Sequence, residues 1–169
     1  MRWFTRQNAH IDRTACPWLI RKFIDPDAEF LFVPSDTDPA TLDGHTFDMR
    51  DAEYSHEDGK CTFQVMLERH QLTDDPALVE MGRIIVDADV PPRRTKRPES
   101  AGLDALISGY QRSVPDDGEK LRLTASLYDA LYAYCQVKVT DRSPTRLGTP
   151  RPRLSYHRRV AKHFEENGS

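Results

Sequence analysis

Strand-like hydrophobic spacing is confined to the first third of this 169-residue chain, and apolar residues beyond it recur at helical spacing. Trp3-Phe4-Thr5, Ala28-Glu29-Phe30-Leu31-Phe32-Val33 and Thr46-Phe47-Asp48-Met49 read as strands, the second halted by Pro34 and the third alternating as a half-buried strand does. Between the first two, Trp18, Leu19, Ile20 and Phe23 make an apolar helix face from about Thr14. Asp12 or Thr14 would cap that helix, Pro17 would sit in its first turn, and Asp25-Pro26-Asp27 would end it. Further helices are expected over about 63–70, from Pro76 to Asp89, from Ala101 to about Arg112 and from about Asp116 to Val137. The pattern predicts an α+β fold, a small sheet from the N-terminal third packed against several helices. Strand order is not fixed by spacing.

At this length one domain is expected, over residues 1–139. Residues 140–169 read as a basic, Pro/Arg-rich tail, broken at Pro144, Pro150 and Pro152, and residues 90–100 as a basic, proline-broken loop. No apolar run reaches the ~18 residues of a membrane span, and the polar start after Phe4 argues against a secretory signal. Cys16, Cys61 and Cys135 are odd in number, widely spaced and form no CxxC pair. A disulfide framework or a cysteine-only zinc site is not expected, and a cytoplasmic location is.

The formal charge of −3 hides an asymmetry. Residues 25–89 carry seventeen acids against four bases, a net −13, and residues 138–169 carry eight bases against three acids, a net +5. An acidic body repels phosphate, so no sequence-specific nucleic-acid binding is expected. The tail reads as a solvated segment.

The chain has no GxGxxG, P-loop, HExxH or GxSxG motif, which removes the commonest fingerprints of nucleotide, flavin and serine-hydrolase chemistry. Three groups of hard or borderline ligands remain. His10 and Asp12, two apart, point the same way in extended chain. Glu53 and His56 have ExxH spacing, but in a turn-like stretch before Gly59 rather than on a helix. Asp87 and Asp89 end a helix, where the macrodipole disfavours carboxylates and some offset is needed. Each group also has a plain reading: a helix cap, a solvated loop, a solvated helix end. Cys16 and Cys61 read as buried structural thiols, His45, His70, His157 and His163 as surface residues, and Tyr128, Tyr132 and Tyr134 as core.

The run His10-Ile11-Asp12-Arg13-Thr14-Ala15-Cys16-Pro17-Trp18-Leu19-Ile20-Arg21-Lys22-Phe23-Ile24-Asp25-Pro26 resembles the signature of the chromate-resistance family, in which it forms the C-terminal domain of the regulator ChrB. The likeness continues through Phe47-Asp48, Glu53 with His56, Gly59-Lys60-Cys61-Thr62-Phe63, Asp74-Asp75-Pro76-Ala77-Leu78, Ala88-Asp89, Ala101-Gly102-Leu103 and Leu127-Tyr128-Asp129-Ala130-Leu131-Tyr132, covering about residues 8–136. It does not include the regulator's N-terminal region, so it implies no DNA binding. With the resemblance, the scattered ligands gain a common expectation: a mononuclear His/carboxylate metal site made by His10, Glu53 and His56, with Asp89 as a fourth ligand or outer partner. Asp12, Arg13 and Glu57 would surround it. Imidazole and carboxylate without thiolate suit Zn, Fe, Mn or Ni. Chromate or another oxyanion would be met through the metal or through Arg13, Arg93, Arg94, Lys96 and Arg97. The alternatives are a small metal-dependent enzyme, hydrolytic or redox, with Glu53 or Glu57 as base, and a sensor or interaction module without catalysis of its own.

Overall fold

The computed structural model describes residues 1–90 and 97–141. Strand β1 (Arg2–Arg6) lies between β2 (Glu29–Val33) and β3 (His45–Thr46), parallel to both. Parallel neighbours need a crossover, and helix α1 (Ile11–Leu19), continued by a π-helical turn over Ile20–Ile24, supplies it for β1 and β2. A central strand is covered on both faces, which is why Trp3, Phe4 and Thr5 are buried in succession. The third strand is shorter than its alternation suggests. After Phe47 the backbone turns left-handed at Asp48 (φ 45°) and leaves the sheet.

Gly44 brings β3 in. A Cβ there would stand 2.6 Å from the Arg2 carbonyl oxygen and 2.9 Å from Phe4 Cε2, so only a hydrogen fits. Gly44→Ala is expected to cost about 1–3 kcal/mol by overpacking. The thermal midpoint should fall by about 2–4 °C for each of those kcal/mol. An unchanged midpoint would show that the strands separate without cost.

Helix α1 starts at Ile11, three residues before the expected Thr14, and this shifts two assignments. Pro17 is inside the helix rather than in its first turn, and Asp12 is a helical residue that caps nothing in α1. The helices α2 (Thr62–Arg69), α3 (Pro76–Asp89), α4 (Pro98–Ser113) and α5 (Asp117–Asp141) follow. Asp75 caps α3 by accepting from the Ala77 and Leu78 N–H groups, and Pro76 and Pro98 fit first-turn positions where no N–H is needed. Helix α4 therefore begins before Ala101, and α5 runs on past Val137. No helix of the described residues is long and apolar enough to cross a membrane.

The core lies around α1, which touches α2, α3, α4 and α5 and is buried at every residue but Arg13. Leu78, Met81, Ile84 and Ile85 of α3 are fully buried, as the spacing predicts. Tyr128 is core too, bonded through its hydroxyl to Thr14 Oγ1 at 2.6 Å and donating to the Ile11 carbonyl, but Tyr132 is only partly buried and Tyr134 is exposed. At the start of α5, the Asp117 carboxylate accepts from the Asn8 and Ala9 N–H groups, both at 2.8 Å, and from buried Lys120 Nζ at 2.7 Å. This holds the β1–α1 turn, where Asn8 is left-handed, against α5.

Candidate metal centre

Two helices and one loop bring carboxylates to a single imidazole nitrogen. Asp12 in the first turn of α1 is fully buried, and its Oδ2 accepts from the Thr62 N–H, the first of α2, at 2.6 Å. It thus serves the N-terminus of a different helix, where the positive end of the dipole favours an anion. His56, on the loop between β3 and α2, places Nε2 at 3.1 Å from Asp12 Oδ2. Asp48 Oδ1 and Asp89 Oδ2 each lie 3.3 Å from the same nitrogen, Asp89 being the last residue of α3. Arg13 Nη1 at 3.2 Å and Thr62 Oγ1 at 3.1 Å donate to Asp48.

Burial pushes the Asp12 carboxyl up to about 6, with the hydrogen bond from His56 pulling the other way and the Asp89 and Asp48 charges adding to the rise. His56 is pushed up to about 12 by its contacts with Asp12, Asp48 and Asp89, against the cost of its partial burial. Burial opposes ionisation of Asp48, but its hydrogen bond to His56 and the Arg13 guanidinium hold it below the usual carboxylate value. At neutral pH the imidazole is therefore a cation gripped by carboxylates. Its N–H has one hydrogen, yet three oxygens surround it. The other Asp12 oxygen, Oδ1, is buried with no hydrogen-bond partner. Surplus oxygens and an orphaned buried acceptor are what a metal ion relieves. Among the described residues, Asp12, His56 and Asp89 are the group whose ligand atoms all lie within 4.8 Å of one another.

The structure brings His56 and Asp89 together, with Asp12 between them. His10 and Glu53 lie elsewhere. His10 is extended and Asp12 helical, so the two diverge: His10 Nε2 meets Ser108 Oγ at 3.2 Å and Asp104 at 3.7 Å on α4. Burial lowers its pKa, with Asp104 acting the other way. Glu53 and His56 are three apart in non-helical chain, which points them apart. Glu53 Oε2 sits 2.8 Å from His45 Nδ1, whose ring packs on Trp3 with centroids 4.5 Å apart. His45 and His70 are thus part of an aromatic patch with Trp3 and Tyr54, not free surface residues. Glu57 pairs with Arg69 at 2.9 Å, and Arg13 is committed to Asp48 and the Asn8 carbonyl. Arg97 pairs with Glu80, and its N–H donates to Asp87, one offset for the acidic end of α3. Arg93, Arg94, Lys96, His157 and His163 lie outside the described residues. All three cysteines are free and buried, and burial pushes the Cys16 and Cys61 thiols well up, so neither is a ready thiolate. Sequence reading missed Asp48 and Thr62. Asp48 passes for an ordinary strand residue, and the Thr62 contribution is partly backbone, which no side-chain pattern reveals.

A family model described as "ChrB, C-terminal domain" matches residues 3–135. The chain belongs to the ChrB C-terminal domain family. This ChrB-type domain is 35% identical over 132 residues to Protein ChrB of Cupriavidus metallidurans, an alignment covering 78% of this chain and 40% of that protein. The chain thus spans less than half the length of that relative. The match runs from β1 into α5, in line with the resemblance over about residues 8–136, and the matched residues include Asp12, Asp48, His56 and Asp89. No solved structure matches.

Proposed function

We propose that this ChrB C-terminal domain binds one divalent transition-metal ion through Asp12, His56 and Asp89, and that it serves chromate response or detoxification through that ion. The carrying observation is the crowding of three carboxylate oxygens, within 3.1–3.3 Å, around His56 Nε2. One imidazole with carboxylates suits Zn, Fe, Mn or Ni. A cavity of about 260 Å³ lined by Arg6, Asp48, Met49, Arg50, Asp51, Ser55 and His56 gives a small oxyanion such as chromate a path to an open coordination position. Arg6 and Arg50 would offset its charge there.

Metal must displace the His56 proton, and this sets the test. Because His56 holds its proton far above neutrality, uptake at pH 7 should release about one proton per ion. Affinity should rise about tenfold per pH unit between roughly pH 6 and 8, since a proton is removed throughout that window. Protein purified without affinity tag or chelator should carry one equivalent by elemental analysis. Calorimetry in buffers of different ionisation enthalpy counts the protons. A protein that takes up no ion at pH 8 would overturn the reading.

A further inference from the structure

We propose that Asp48 is a fourth ligand of the same ion, making a six-coordinate, oxygen-rich centre of the kind that takes Mn2+ or Fe2+. This rests on the metal reading above. Asp48 stands outside the trio whose donor atoms lie within 4.8 Å, but its Oδ1 reaches the shared His56 nitrogen at 3.3 Å. It is held there from every side. Its N–H donates to the Tyr54 carbonyl at 2.9 Å, its carbonyl accepts from Arg6 Nε at 3.3 Å, and its two carboxylate oxygens accept from Thr62 Oγ1 and Arg13 Nη1. All this fixes a non-glycine residue at φ 45°, a left-handed conformation that costs free energy and persists because the surroundings impose it.

Thr62 supports two carboxylates at once, its N–H on Asp12 and its hydroxyl on Asp48. Such shared outer partners orient metal ligands. Three carboxylates and one imidazole form a hard donor set, and carboxylate and water suit Mn2+ better than they suit Zn2+. Four protein donors leave two octahedral positions for water or an oxyanion, next to the cavity walled by Arg6, Arg50 and Ser55. Zinc, content with four donors, needs only Asp12, His56, Asp89 and a water.

Asp48→Asn keeps the shape, and asparagine tolerates the left-handed backbone. Mn2+ and Zn2+, each added alone, would be titrated into the unaltered protein and the variant. Mn2+ affinity is expected to fall at least about tenfold while Zn2+ affinity falls less than about threefold. Equal changes for both ions, or none, overturn the assignment of Asp48 and leave the three-residue site standing. A second measurement needs no variant: water-proton relaxation of the Mn2+-loaded protein should count two bound waters, and three or more would overturn the fourth ligand. Unaltered protein that takes up neither Mn2+ nor Zn2+ overturns this assignment, and the parent reading falls with it only if Fe2+ and Ni2+ are refused as well.

Discussion

His56→Ala is expected to bind its metal at least about a hundredfold more weakly than the unaltered protein, more than the 10–100-fold typical of losing an outer partner. Glu53→Ala and His10→Ala should bind it as before. His56 supplies the only imidazole in the cluster of Asp12, His56 and Asp89. Glu53 is engaged with His45, and His10 with Ser108. Competition against a chromophoric chelator gives the three affinities. Equal losses in His56→Ala, Glu53→Ala and His10→Ala would instead place the ion at the triad inferred from sequence. The same variant bears on stability without metal. In the unaltered protein the folded His56 keeps its proton to about 12 against an ordinary 6.5. Its contribution is therefore complete below about pH 6.5 and is lost as pH rises through 12. In His56→Ala that contribution is gone, and Asp12 loses the bond that lowers its pKa. Thermal midpoints of the metal-free proteins should differ most near neutrality and below.

The second large effect is expected at a buried ion pair outside that cluster. Asp117→Ala should cost about 3–5 kcal/mol, because it leaves a buried lysine without its counter-ion. Lys120 is 1% exposed, and its Nζ has the Asp117 carboxylate at 2.7 Å. The same substitution strips the Asn8 and Ala9 N–H groups of their acceptor. Lys120→Met should cost well under half as much, since Asp117 keeps both backbone donors and a lysine-length apolar chain fills the space. Urea unfolding of the two variants measures the asymmetry. Equal costs would mean that the pair matters as a charge pair and not as an anchor for the turn.

The α+β class and the helices were legible because strand-like spacing, interrupted by one helical face, does not recur after Met49, and because Asp75 and Pro76 mark a helix start. His56 and Asp89 were legible as ligand types, and the structure puts them together. The rest turned on single-residue geometry. Starting α1 at Ile11 instead of Thr14 separates His10 from Asp12 and turns an apparent cap into the buried centre of the cluster. Glu53 and His56 share a face only if helical, and the loop is not. Asp48 gives no sign of its left-handed backbone in a stretch that alternates like a strand. Asp117 and Lys120 look like an ordinary surface pair at helical spacing, and only packing shows that they are buried.

The centre ties together segments remote in the chain: Asp12 meets His56 across 44 positions and the Thr62 N–H across 50, and Asp89 arrives from a further helix. An ion held by all three is a removable cross-link. It closes long loops, and the freedom it denies the unfolded chain grows only logarithmically with their length. Metal supply would then act on the lifetime of the folded domain as well as on its chemistry. A cell short of the ion would hold this polypeptide in a form nearer to its unfolded ensemble, and so more open to proteases.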